Sequence, residues 1–199
     1  MRPYNAQMSP VPACLVTGLT GADKRGFLVA LVGMRPANAT WALLDNDGGG
    51  SARDLADSGI ATAVVNGCAC CSGQVMLQTG IVQLLRQARP QLLIVAVDGA
   101  AEPEALDRVL RQPGIASSVT LALQLCIAPA QWFDVLPGHA RERLQRQMQA
   151  ADGVIAGGGA TAAKLQAAGA RQLLQAEEAI RRVSAVASGV SASASRIAS

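Results

Sequence analysis

Short, unbroken apolar runs alternate along this chain with segments whose apolar residues recur at helical spacing. The first run, ACLVTG, ends at Gly18. A glycine-containing loop follows, and KRGFLVALVGM then reads as a helix that must stop before Pro36. A second strand, TWALLD, breaks into Asp45, Asn46, Asp47 and a triple glycine, and a third, ATAVV, leads into NGCACCSG. Beyond it Leu77, Ile81, Leu84, Leu85 and Ala88 share one helical face, with Pro90 limiting that helix. The run QLLIVAVDG is apolar throughout, the pattern of a central parallel strand covered on both sides. PEALDRVLR as a helix, SSVTLALQL as a buried strand, ARERLQRQMQAA as an amphipathic helix and DGVIAGGG as a last strand and turn continue the alternation.

This order predicts βαβ units and an α/β fold: three layers, α/β/α, around a largely parallel sheet. Ligands of such sheets bind at the carboxyl ends of the strands. Each glycine-rich, acidic or cysteine-rich segment named above follows such an end, so the pattern lets them converge on one face. The 199 residues, half of them hydrophobic, suffice for one buried core and not for two ordinary domains. The domain is expected over residues 1–174. In the remainder, 175–199, AEEAIRRVSAVA reads as one helix, while SGVSASASRIAS has almost nothing to bury and is expected to be disordered.

Charge and termini narrow the partners. A net charge of +3, from 17 basic and 14 acidic residues, is mild, and the basic residues form no stripe with aromatics, so no nucleic-acid partner is expected. MRPYNAQMSPVPA has no export signal, and no apolar stretch approaches the roughly 20 residues that span a bilayer, so a cytoplasmic protein without membrane contact is expected. In that compartment the five cysteines do not form a disulfide framework. Cys14 and Cys126, each in an apolar run, read as buried structural thiols.

Two segments carry candidate chemistry. Gly18, Gly21 and Lys24 lie between a strand and a helix, where a phosphate-binding loop offers backbone N–H groups and a lysine to phosphate oxygens. Asp23 stands where that motif wants glycine, and Arg25 where it wants the Mg²⁺-holding Ser or Thr, so an ordinary strand-to-helix turn is the alternative. Cys68, Cys70 and Cys71 crowd a turn bounded by Gly67 and Gly73, which lets two or three thiolates reach one Zn²⁺ or similar ion and leaves a fourth position open. A redox pair or a set of small buried residues would leave the same pattern. His139 is the sole histidine, which excludes a histidine-rich cage.

NGCACCSG, then a helix, then RPQLLIVAVDGAAEP resembles the CobW-type metallochaperone GTPases, of the P-loop group that includes the hydrogenase and urease nickel-insertion proteins. Gly67, Cys68, Cys70 and Cys71 match the family's GCxCC motif, and Gly99, Ala101, Glu102 and Pro103 match the end of its ETSGLADP segment, with Glu102 a conservative change. LLDNDGGG resembles the NEFGE loop, which makes Asp47 a candidate helper at the metal, although an exposed turn carboxylate is the expected role. The resemblance runs from about Cys14 to about Leu174 and implies a P-loop NTPase-like fold. Against the pattern, the Walker-type glutamate falls at Ala96, with Asp98 two residues on as the candidate substitute, and the guanine-reading NKxD falls at Gly157, Gly158, Gly159 and Ala160. No counterpart of the family's carboxyl-terminal domain is expected in this chain.

The resemblance therefore implies a metal-binding protein, a metallochaperone or metal-homeostasis factor, that holds Zn²⁺ or a similar transition metal at Cys68, Cys70 and Cys71 and passes it to a metalloprotein client. GTP and Mg²⁺ are expected to bind poorly or not at all, so the chain leans away from being an enzyme. Two alternatives stay open. One is a divergent GTP or ATP hydrolase in which Lys24 grips phosphates and Asp98 handles Mg²⁺. The other is an inactive regulatory partner, in a homodimer or paired with an intact GTPase of the family.

Overall fold

The computed structural model describes residues 9–19, 21–48, 50–67, 73–128, 135–156 and 162–189. Residues 190–199 of the tail expected to be disordered, the NKxD-equivalent residues 157–160 and Cys68, Cys70 and Cys71 lie outside them.

Seven parallel strands form one sheet: β1 (Val11–Gly18), β2 (Trp41–Asn46), β3 (Ala61–Val64), β4 (Leu92–Val97), β5 (Val119–Ile127), β6 (Gly153–Ile155) and β7 (Leu173–Leu174). Their order across the sheet is β3-β2-β4-β1-β5-β6-β7. β1 is central, with Leu15 beside Val95 of β4 on one side and Gln124 of β5 on the other. The chain leaves β1 toward one edge of the sheet and later returns to build the other, so the loop after β1 sits at the point where strand order reverses. Strands buried on both faces need apolar residues at every position, and all six of Leu92–Val97 are buried.

Helices cover both faces. On one, α1 (Ala22–Gly33) and α8 (Ala176–Ala187) pack Phe27, Leu28, Leu31, Ile180 and Val183 against Val16, Leu43, Ile94 and Leu125. On the other, α3 (Gly73–Ala88), α4 (Pro103–Leu110) and α5 (Pro113–Ala116) pack Leu77, Ile81, Leu84, Leu106 and Ile115 against Leu15, Leu44 and Val95. A third cluster joins α6 (Gly138–Ala150) and α7 (Ala162–Ala167) to β5 and β6 through Leu144, Met148, Leu165, Cys126 and Val154. The three-layer α/β/α reading of the sequence holds. Among the elements that reading passed over are α2 (Gly50–Asp54), α5 and β7, each too short to carry a hydrophobic period. Cys14 and Cys126 are buried free thiols, as their apolar runs imply.

Candidate functional site at the carboxyl ends of the central strands

The loop after β1 is set by close contact. Gly18 ends the strand at φ +110°, and a Cβ built there would lie 2.0 Å from the Ile127 carbonyl oxygen of β5, so no other residue fits. Its amide donates to Oε1 of Gln147, at 3.0 Å. Gln147 is a fully buried residue of α6 whose Nε2 donates to the Ala101 carbonyl at 2.7 Å and, longer, to that of Gly99 at 3.5 Å. One side chain thus ties the start of the β1 loop to the loop after β4. No motif names Gln147. Its signal is helical spacing, since Leu144, Gln147 and Met148 form one buried stripe.

Lys24, in the first turn of α1, points back under this loop and is fully buried. Its ammonium donates to the carbonyls of Gly18 at 3.1 Å and Val97 at 2.5 Å, and lies 3.1 Å from Oδ2 of Asp47. An ammonium has three N–H donors, and these acceptors account for all three. Burial pushes the Lys24 pKa below its ordinary value, while Asp47, by charge and hydrogen bond, and more weakly Asp98 and Cys126 push it back up.

Asp47 is therefore not the exposed turn carboxylate expected of it: its side chain is 1 % accessible and paired with Lys24. A buried ammonium draws in the nearest carboxylate. Asp45 holds the turn, accepting from the Asp47 amide at 2.9 Å and the Ala52 amide at 2.7 Å. Arg25, at the position of the motif's Ser or Thr, spans α1 and α2 to Asp54 at 3.5 Å.

Asn46, the last residue of β2, donates from Nδ2 to the carbonyls of Val65 at 2.7 Å and Gly67 at 2.9 Å. The entrance to the cysteine segment is thereby fastened to the acidic turn. Gly67 has φ +101°, and a Cβ built on it would lie 4.0 Å from the Gly73 Cα. The two glycines that bracket the cysteines thus stand side by side. Among the described residues no three His, Cys, Asp or Glu side chains gather as a metal site.

β4 stops at Val97, so Asp98 lies beyond the strand; its Oδ1 accepts from the Ala100 amide at 2.7 Å and caps the turn. Ala96 is enclosed in the core and paired in register with Val16 and Asp45. Glu102 accepts from Arg146 at 3.1 Å and lies 3.6 Å from Arg143, an exposed network that joins α4 to α6. A groove of about 620 Å³ between α3 and α5, lined by Gln78, Gln83, Arg86 and Gln112, runs along the far half of α3 from Gly73 and does not touch these loops.

Residues 12–187 match the family model described as CobW/HypB/UreG, nucleotide-binding domain. The chain belongs to this family. Within the family, it is 30 % identical over 146 residues to the zinc chaperone YeiR of Escherichia coli (strain K12), covering 71 % of this chain and 44 % of that protein. Among solved structures, Zn(II)-bound YjiA GTPase from E. coli matches at TM-score 0.52 and 17 % identity, over 88 % of this chain and 54 % of that one. The 54 kDa signal recognition particle protein of Aeropyrum pernix K1 in complex with GDP matches at TM-score 0.50 and 20 % identity, over 93 % and 47 %. At these identities the structural matches show a shared fold. This CobW-type chain spans less than half the length of the zinc chaperone it matches.

Proposed function

We propose that this CobW-family chain is a cytoplasmic metal-binding protein with a metallochaperone role, holding Zn²⁺ or a similar transition metal through Cys68, Cys70 and Cys71 for delivery to a metalloprotein client. The observation that carries the reading is the placement of Gly67 beside Gly73. A five-residue segment with three thiols that leaves and returns at one place favours convergence of sulfurs on one ion, where an extended strand would alternate them. The similarity to a zinc chaperone supports the choice of metal.

Three thiolates leave one position of a tetrahedron for an exchangeable ligand, which suits a site that gives its metal up. Asp47 is the acidic residue of the neighbouring turn, but its carboxylate is spent on Lys24, so the three sulfurs carry the binding. Ala96, Arg25 and the segment Gly157, Gly158, Gly159 and Ala160 supply neither Mg²⁺ ligands nor guanine recognition, and this favours a carrier over a hydrolase. Competitive titration with Zn²⁺ and a chromophoric chelator, on the native chain and on the triple Cys→Ser variant, tests the proposal. The native chain is expected to bind one ion at least 100-fold more tightly than the variant; equal affinities end the metal-carrier reading.

A further inference from the structure

We infer that Asp47 is a built-in occupant of the phosphate site, an autoinhibitory carboxylate that an incoming phosphate anion must displace. Lys24 has three protons to give, and the Gly18 carbonyl, the Val97 carbonyl and the Asp47 carboxylate take them at 3.1, 2.5 and 3.1 Å. Only one of the three acceptors is an anion, and only that one is carried on a side chain. The two carbonyls belong to the ends of β1 and β4 and are held by the sheet itself, Gly18 paired with Ile127 of β5 and Val97 with Asn46 of β2. Asp47 alone of the three lies outside the sheet, in the turn after β2, with Gly48 next to it at φ +77°.

The neighbouring contacts hold the carboxylate in place. Asp45 accepts from the Asp47 amide and from Ala52, fixing the backbone from which the carboxylate reaches Lys24. Arg25, a cation next to Lys24 in sequence, is turned toward Asp54. A phosphate oxygen arriving at Lys24 therefore meets a neutralised ammonium, and it gains that ammonium only as Asp47 leaves for solvent. On this account the weak nucleotide binding expected of the chain comes from an occupied site as well as from missing Mg²⁺ and guanine contacts. The inference rests on reading Gly18 to Lys24 as a phosphate loop. It does not depend on the cysteines.

The test is calorimetric titration of inorganic pyrophosphate, and separately of GTP with Mg²⁺, into the native chain, Asp47→Asn, Lys24→Ala and the triple Cys→Ser variant. Asparagine keeps the size of the side chain and removes its charge. Asp47→Asn is expected to bind pyrophosphate at least tenfold more tightly than the native chain, Lys24→Ala not to bind it, and the cysteine variant to match the native chain. Equal or weaker binding by Asp47→Asn overturns the inference, whatever the metal titration shows. If Asp47→Asn does not fold, Asp47→Ser carries the same comparison, and failure of both to fold makes the ion pair purely structural and overturns the inference too.

Discussion

Lys24 and Asp47 bring opposite charges into a region where neither survives alone. Removing one partner of such a pair strands the other, at a cost of about 3 kcal/mol or more. Asp47→Asn is expected to lose stability of that order in urea denaturation, and Lys24→Met combined with Asp47→Leu to lose less than the sum of the two single changes, by at least about 1 kcal/mol. Additive losses would show that the pair is not coupled. Gly18 is held more tightly still. A methyl group there meets a main-chain oxygen that cannot move, at a φ only glycine tolerates, so Gly18→Ala is expected to cost about 3 kcal/mol or more, read as a shift in denaturation midpoint. Burial lifts the thiols of Cys14 and Cys126 from 9.0 to about 12, against a lowering by Thr17 at Cys126 and with a further rise from Asp152 at Cys14. A folded pKa above the unfolded one contributes stability that is complete below pH 9 and is lost as pH rises toward 12. Stability is therefore expected to fall across that window, less steeply in Cys14→Ala, and both thiols to resist alkylation at pH 8 until denaturant is added, as mass spectrometry would record. Unlabelled Cys14 and Cys126 in the unfolded chain, or labelled ones in the folded chain, would contradict it. The buried roles of Cys14 and Cys126 were legible from their apolar neighbours. The roles of Gln147 and Asp47 were not, because a polar side chain shows its partner only when another part of the chain arrives beside it.

Elements with a long hydrophobic period declared themselves. α1, α3, β4 and α6 fall where alternation and prolines place them, since each buries enough apolar surface to need a regular stripe or run. α2, α5 and β7 did not, for each is held by a few contacts with its neighbours rather than by a face of its own. α8 shows how an element can read as an appendage and pack as part of the body. Ala179, Ile180, Val183 and Val186 are buried in the same cluster as the first helix and the central strands. At roughly 1.5–3 kcal/mol for each large side chain returned to water, a chain cut after Gln175 is expected to lose on the order of 5 kcal/mol. Ile180→Ala alone is expected to lose about 3 kcal/mol, both measured by chemical denaturation. A truncated chain that unfolds at the native midpoint would show that α8 is dispensable.

For the molecule as a whole, the central place of β1 brings the lysine loop, the acidic turn and the entrance to the cysteine segment to one edge of the sheet. No helix among the described residues is long and apolar enough to cross a membrane. If the cysteines carry the metal, saturating Zn²⁺ is expected to raise the unfolding midpoint of the native chain and leave that of the triple Cys→Ser variant unchanged, since a ligand stabilises only the state that binds it. Equal shifts in both would place the ion elsewhere. The amino-acid sequence by itself determined the α/β class, the order of the main elements and the short motifs, because periodicity, glycine and proline act over a few neighbouring residues. Only the tertiary structure decided which carboxylate neutralises Lys24, which amide ties the loop after β1 to the loop after β4, and that Gly67 stands beside Gly73. Those are meetings between distant segments, and a buried charge or amide takes whichever partner the packed sheet delivers to it.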